Sequence, residues 1–202
     1  MIKIKLYSIF QRFSHWFQFL LIFILAITGF EIHGNFVLLG FSSAVRIHNL
    51  AALILIFLYM FIFFWFATTG EWKQYILTRN KLKDMIMYYS RGIFLNEPHP
   101  VKKSELSKLN PLQRITYFTF RFILIPLMVV TGIVYFFASI NMGVEVGPVK
   151  PISIIHTAGA FIIVSFVIIH VYMTTTGHTI FSNIRAMITG YEEIPEEEEN
   201  HS

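Results

Sequence analysis

Residues 152–176 read ISIIHTAGAFIIVSFVIIHVYMTTT, and this stretch decides the fold. It contains no Asp, Glu, Lys or Arg and is long enough to cross a bilayer core of about 30 Å, which takes about 20 helical residues. His156 and His170 are 14 residues apart in it, so they share one helix face at levels about 21 Å apart. Coordinating side chains inside a span are costly and therefore indicate function.

Three further apolar stretches have the same character, at about residues 13–32, 44–69 and 115–140. Of the 202 residues, 55% are hydrophobic and 14% are charged, whereas soluble domains carry about a quarter charged residues. We therefore predict an all-α integral membrane protein in which one four-helix transmembrane bundle occupies residues 1–190. The first stretch begins too late and runs too long for a cleavable signal peptide.

The distribution of Lys and Arg predicts the orientation. Thirteen of the 16 precede the first span, lie between the second and third, or follow the fourth; Arg46 and Lys150 lie in the two other loops and Arg121 within a span. By the positive-inside rule, both termini and the middle segment are cytoplasmic. We expect a multi-pass protein of the cell inner (cytoplasmic) membrane, in contact with lipid.

Two segments outside the spans have distinct patterns. Residues 71–109 mix apolar and basic side chains, which predicts an amphipathic helix lying in the membrane interface. Asn110 and Pro111 then mark the start of the third span as cap and first-turn residue. Six glutamates in residues 192–199 predict a solvated acidic tail over residues 191–202.

The predicted topology pairs four of the eight histidines. His15 lies at the cytoplasmic start of the first span, so it meets His170 in the inner half of the membrane. His48 lies at the external start of the second span and meets His156 in the outer half. We call these the inner pair and the outer pair. His33, 18 residues after His15, is a rival for the place of His48.

Two histidine pairs without a nearby carboxylate suit a planar iron macrocycle. Zinc needs further ligands or water, and Mg or Ca needs oxygen ligands, whereas haem iron needs two axial ligands only. The chain has no cysteine, which excludes c-type haem, iron-sulfur clusters and disulfides from it. We therefore predict two b-type haems. No nucleotide-binding or nucleophile motif is present, and we expect no nucleic-acid partner.

Glycines and arginines near the histidines are candidate haem contacts. Gly29, 14 residues after His15, and Gly132 each follow a threonine, and each either admits a porphyrin or serves ordinary helix packing. Arg12 and Arg46 lie near His15 and His48 and suit haem propionates. Arg121, within the third span, either pairs with a propionate or extends to the membrane surface.

The chain resembles the di-haem cytochrome b subunits of membrane NiFe hydrogenases, formate dehydrogenases (the gamma subunit) and thiosulfate reductases, a bacterial cytochrome b561-like superfamily. The resemblance covers nearly the whole chain. The matching stretches are Arg12-Phe-Ser-His15-Trp16, Arg46-Ile-His48, Asn110-Pro-Leu-Gln113, Val-Thr-Gly132, Ile155-His156, Ile169-His170-Val-Tyr172-Met173, Thr176-Gly177-His178-Thr179 and Met187-Ile-Thr-Gly190. The thiosulfate reductase and formate dehydrogenase branches are the most similar.

The resemblance implies a membrane anchor of a respiratory oxidoreductase. Such a subunit exchanges electrons between a quinone (menaquinone or ubiquinone) and an iron-sulfur or multihaem subunit on the outer face. It implies that His48 and His156 hold the outer haem and that His15 and His170 hold the inner one. Asn110 and Gln113 match the corner that lines the family's quinone site, and His178 is a further candidate donor there.

Two other functions remain open from the sequence. One is a stand-alone cytochrome b that passes electrons between a small oxidant such as superoxide and quinone. The other is a histidine-lined proton or metal transporter, which would show no haem absorption. The length of residues 70–109 argues against the stand-alone cytochrome, because such proteins have short loops.

Overall fold

The computed structural model describes residues 2–95, 97, 100–101, 109–140, 146–177 and 179–194. The elements follow one another as β1 (Ile2–Lys5), α1 (Ile9–Ile32), α2 (Phe41–Thr69), a 3-10 turn (Glu71–Tyr75), α3 (Leu82–Ser90), a second 3-10 turn (Gly92–Leu95), α4 (Pro111–Thr119), a π-helical turn (Phe120–Leu124), α5 (Ile125–Ile140), α6 (Val146–Thr174), α7 (Ser182–Thr189) and β2 (Tyr191–Ile194).

Four helical stretches are long and apolar enough to cross a membrane: Ile9–Ile32, Phe41–Thr69, Pro111–Ala138 and Val149–Thr174. Their ends agree with the predicted spans to within two residues, and each begins three or four residues earlier than predicted. The helices begin earlier because their first turns contain polar residues, and a prediction from hydropathy leaves such residues out. Much of their apolar surface is exposed, for example Phe64 at 69%, which suits lipid as the surrounding solvent. The predicted all-α, four-span fold class is confirmed.

Two of these stretches begin with the same capping arrangement. At the start of α1, the Ser8 amide donates to Gln11 Oε1 and the Gln11 amide donates to Ser8 Oγ. At the start of α4, the Gln113 amide donates to Asn110 Oδ1 and the Asn110 amide donates to Gln113 Oε1. Each pair satisfies two backbone donors that a helix start leaves open. The predicted roles of Asn110 as cap and Pro111 in the first turn are confirmed.

The backbone contacts divide the chain into two units, one of residues 1–12, 66–122 and 171–202 and one of residues 13–65 and 123–170. In the first unit, β1 pairs with β2 in antiparallel fashion, with Ile4 opposite Glu192. The amides of Leu6 and Tyr7 donate to the carbonyl of Gly190, which follows α7. Burial, with a smaller contribution from Glu192, raises the pKa of Tyr7 to about 12.

Two expectations for this unit need correction. The predicted amphipathic helix is helical only over Leu82–Ser90, because Lys81 adopts a left-handed backbone conformation that stops it from starting earlier. Its apolar face buries Met85 completely and leaves Ile86 half exposed. The predicted solvated tail begins instead as strand β2, in which Glu192 is only 3% exposed. The remainder of that tail, residues 195–202, lies outside the described residues.

The second unit contains most of the membrane-spanning helices. Its fully buried positions include Thr28 of α1 and Ala44 of α2. In the α1–α2 loop, Glu31 Oε1 accepts hydrogen bonds from the amides of Leu38, Leu39 and Gly40 at 2.6–2.8 Å. One buried carboxylate oxygen therefore shapes the connection that leads into α2.

Candidate functional site

The inner pair lies within the second unit. The rings of His15 on α1 and His170 on α6 have centroids 6.1 Å apart at an interplanar angle of 52°. Phe166, one turn before His170, stacks on its ring at 5.7 Å and 12°, and Trp16 contacts His15 edge-on at 5.3 Å. These aromatic contacts restrict how the two imidazoles can turn.

The outer pair lies in the same unit. His48 on α2 and His156 on α6 have ring centroids 6.5 Å apart at an interplanar angle of 66°. Thr28 Oγ1 lies 3.0 Å from His48 Nδ1, and Thr131 Oγ1 lies 2.8 Å from His156 Nδ1. A polar partner at the second ring nitrogen is the usual way in which a ligating histidine is oriented.

The spacing of both pairs fits one metal held between two imidazoles. Imidazole nitrogen binds a first-row metal at about 2.0–2.1 Å, and the ring centre lies about 1.2 Å further out, so two imidazoles that held one metal from opposite sides would have centroids about 6.4–6.6 Å apart. The observed values are 6.1 and 6.5 Å. In the part of the chain that the structure describes, no three histidine or carboxylate side chains cluster to hold a bare ion. The donor set therefore fits haem iron better than zinc.

The two glycines face the outer pair. A Cβ built on Gly29 would lie 3.6 Å from His48 Cε1, and one built on Gly132 would lie 3.3 Å from His156 Cε1. Gly132 therefore leaves room that the His156 ring needs, whereas a Cβ at Gly29 would make an ordinary van der Waals contact with the His48 ring. Whether they also admit a porphyrin stays a prediction.

His33 lies near the outer pair, but its ring contacts a threonine. Its Nε2 is 3.0 Å from Thr157 Oγ1, a neighbour of His156 along α6. His48, by contrast, directly faces His156. The geometry favours His48 as the outer ligand, and the ligand role of all four histidines stays a prediction.

The arginines near the histidines have different surroundings. Arg12 Nη1 donates to the carbonyl of Ile188 near the end of α7, so this guanidinium connects α1 to α7 within the first unit. The predicted role of Arg12 with a propionate stays a prediction. Arg46 is exposed on α2, where its predicted role with a propionate stays a prediction.

Arg121 lies against two aromatic rings. Its guanidinium carbon lies 4.7 Å from the Phe66 ring centroid and 4.9 Å from that of Tyr75, within range of a cation–π interaction. Nη1 is buried and has no hydrogen-bond acceptor among the described residues. The guanidinium therefore packs on these two rings and retains a donor for an acceptor from elsewhere, and both predicted roles of Arg121 stay predictions.

Two of the predicted quinone residues, Asn110 and Gln113, cap a helix, and the sequence predicted this role for Asn110 only. Asn110 and Gln113 cap α4 reciprocally, and Asn110 Nδ2 also lies 3.2 Å from the hydroxyl of Tyr89. Asn110 is 7% exposed. Burial raises the pKa of Tyr89, and its hydrogen bond to Asn110 offsets part of that rise. His178 lies outside the described residues.

Three polar residues of the second unit could not be recognised as site residues from the sequence. Thr28 and Thr131 were noted only as parts of two Thr-Gly dipeptides, because their partners depend on which helices adjoin. Glu31 lies two residues before His33, at the end of the first predicted span. A buried acidic residue at the end of an apolar span was the one signal that pointed to it.

Comparisons with known proteins agree with this geometry. The family model described as prokaryotic cytochrome b561 matches residues 6–190. "Putative cytochrome YdhU" of Escherichia coli (strain K12) is 29% identical over 196 residues, which cover 94% of this chain and 74% of that protein. No solved structure matches the chain significantly. The chain therefore belongs to the prokaryotic cytochrome b561 family, and it is a multi-pass membrane cytochrome that carries b-type haem and transfers electrons.

Proposed function

We propose that this chain is the di-haem membrane subunit of a respiratory oxidoreductase, transferring electrons between a membrane quinone and a partner redox subunit. The observation that carries the proposal is the presence of two imidazole pairs whose centroid separations, 6.1 and 6.5 Å, both suit one iron. A single pair would support one haem only. Family membership supplies the haem type, and the second pair supports the second haem.

The ligand chemistry favours electron transfer over oxygen binding. When bound, haem iron supplies a one-electron couple, and two axial imidazoles leave no open position for oxygen. His156 and His170 lie 14 residues apart on the continuous helix α6, so the two pairs occupy levels about 21 Å apart along that helix. Two such levels within one span support transfer across the membrane and not along one surface.

The quinone and the partner subunit rest on the resemblance to the di-haem anchor subunits. Arg121, in the third span, adds a physical argument for a ligand that accepts a hydrogen bond. A buried guanidinium donor without an acceptor is unfavourable, and a propionate carboxylate or a quinone carbonyl would satisfy Nη1. The predicted partner is an iron-sulfur or multihaem subunit on the outer face.

Haem content tests the core of the proposal. Protein purified in detergent should show two b haems per chain by pyridine haemochrome analysis, and His170→Ala and His156→Ala should each lose one. His33→Ala is the matched control, since His33 contacts Thr157 and should leave both haems in place. One haem in the wild-type protein, or two in both ligand variants, would contradict the di-haem assignment.

Quinone coupling and partner choice need separate measurements. In membranes, a reduced menaquinone or ubiquinone analogue should reduce both haems of the wild type, and His170→Ala should slow reduction of the remaining haem. Native purification should recover an iron-sulfur or multihaem subunit. Recovery of the chain alone, with superoxide-dependent haem oxidation, would support the stand-alone cytochrome, and a folded protein without a Soret band would support the transporter.

A further inference from the structure

Two threonines hold the outer histidines in matching ways. Thr28 is 2% exposed and Thr131 is 7% exposed, and each hydroxyl lies within 3.0 Å of the Nδ1 atom of one outer histidine. They lie on α1 and α5, whereas the histidines lie on α2 and α6. Each contact therefore joins one helix to its neighbour in sequence.

The direction of these hydrogen bonds follows from the rest of each hydroxyl's surroundings. Thr28 Oγ1 donates its proton to the carbonyl of Ile24 at 2.7 Å, and Thr131 Oγ1 donates to the carbonyl of Leu127 at 2.7 Å. A hydroxyl has one proton, so toward the imidazole it can only accept. Each ring also donates to a backbone carbonyl, that of Leu25 for His48 and that of Met128 for His156. Nδ1 of each outer histidine then carries the hydrogen, and Nε2 keeps its lone pair for a metal.

The residue after each threonine completes the arrangement. Gly29 and Gly132 leave space beside the Cε1 atoms of the same two rings. In each case, the threonine hydroxyl accepts a hydrogen bond from Nδ1 of the imidazole, and the glycine that follows lies beside Cε1 of the same ring. We call residues 28–29 and 131–132 the two Thr-Gly contacts.

The same contact recurs in two halves of the chain that otherwise differ. Residues 8–17, SIFQRFSHWF, align with residues 110–119, NPLQRITYFT, and each segment begins with a reciprocal helix cap. In this alignment Tyr117 takes the place of His15. The inner ligand position is therefore not repeated, whereas the Thr-Gly contact and the outer histidine are.

The distance along the chain differs by one residue between the halves. Thr28 follows Ser8 by 20 residues, and Thr131 follows Asn110 by 21. The π-helical turn Phe120–Leu124 lies in the longer stretch, and such a turn is how a helix absorbs one extra residue, often at functional sites. Despite the extra residue, Thr131 and Gly132 still lie beside the ring of His156.

We propose that Thr28 and Thr131 are positioning residues that hold His48 and His156 as the Nδ1-protonated tautomers and strengthen their Nε2 atoms as ligands of the outer haem. A hydrogen-bond acceptor at the second nitrogen raises the basicity of a ligating imidazole. A more basic ligand favours the oxidised iron, so the two threonines lower the potential of the outer haem. This inference rests on the proposed di-haem function.

Thr28→Val and Thr131→Val test the inference, because valine fills a similar volume and cannot accept a hydrogen bond. In the His170→Ala background, which should keep the outer haem alone, each variant should shift the equilibrium toward reduced haem by about threefold to tenfold. That shift corresponds to a midpoint potential higher by about 28–59 mV for a one-electron couple. The low-spin EPR signal of the outer haem should shift with it.

Serine and a distant threonine supply the controls. Thr28→Ser and Thr131→Ser keep the acceptor and should restore the wild-type potential and EPR signal. Thr116 also donates to the carbonyl four residues earlier, Leu112, at 2.9 Å and is exposed, so Thr116→Val should change neither. If a valine variant does not accumulate in membranes, the alanine variant at the same position replaces it.

The outcomes separate this inference from the function on which it rests. Unchanged potential and EPR signal in the variants at both positions, with the haem retained, would overturn the role of the threonines. A shift that serine does not reverse would show a packing effect and would also overturn it. Fewer than two haems in the wild-type protein would instead overturn the di-haem function, and that is measured before any threonine is replaced.

Discussion

Replacing Glu31 with alanine removes one oxygen atom that three backbone amides share. Those amides belong to Leu38, Leu39 and Gly40, at 2.8, 2.6 and 2.7 Å from Oε1. The loop that they form connects α1, which carries His15, to α2, which carries His48. The substitution therefore tests whether one side chain maintains the connection that precedes an outer ligand.

The expected magnitude follows from the three bonds. A hydrogen bond to a charged group contributes about 1.5–3 kcal/mol, and three bonds to one oxygen add less than their sum. Leu38 is 67% exposed, so the freed amides regain water in part. We expect loop opening to become easier by about 30- to 700-fold, at 1.4 kcal/mol for each factor of ten.

Amide hydrogen exchange measures this directly. In Glu31→Ala, exchange at residues 38–40 should accelerate by that factor. The Asn35 amide, which donates to the carbonyl of Phe30, should change much less and serves as an internal reference. Glu31→Gln keeps an acceptor oxygen without the charge, so its effect should be smaller. Unchanged exchange at all three amides in Glu31→Ala would refute the reasoning.

Two further predictions concern the outer pair and the strand pair. Gly132→Ala should reduce outer-haem content more than Gly29→Ala, because its Cβ would lie 3.3 Å from the His156 ring whereas the other contact is an ordinary 3.6 Å; equal losses would contradict this. The raised pKa of Tyr7, about 12 against an ordinary 10, contributes stability that is present below about pH 10 and is lost as the pH rises through about 12. Tyr7→Phe should therefore flatten the fall in melting temperature between pH 10 and 12, and an equally steep fall would assign it to other groups.

The parts of the fold that could be predicted are those that the bilayer dictates locally. A span needs a long apolar stretch, so the four spans are visible in the sequence. The depth and orientation of each span were enough to bring His15 to His170 and His48 to His156. Their neighbours were not predictable in the same way, because the acceptor for each outer imidazole depends on which helix face adjoins it.

The errors arose where distant residues decide the local structure. Glu192 belongs to a charged stretch, yet it is buried because β2 pairs with β1, about 190 residues earlier in the chain. The pattern within residues 71–109 predicted an amphipathic helix that Pro98 and Pro100 break, but Lys81 adopts a positive φ of 56° and α3 starts only after it. The contact of Arg12 with Ile188 likewise depends on a distant residue, and the predicted role of Arg12 with a propionate stays a prediction.

The pairing of β1 with β2 also bears on the order in which the chain can fold. Residues 2–5 are synthesised before the four spans, and their partners, residues 191–194, only after them. Closing a loop of this length carries an entropic cost before any strand contact forms. The strand pair is therefore a late event in biogenesis. The amides of Leu6 and Tyr7 gain their acceptor, the carbonyl of Gly190, only after the four spans have been synthesised, and a chain that ends before this residue would leave both amides without it.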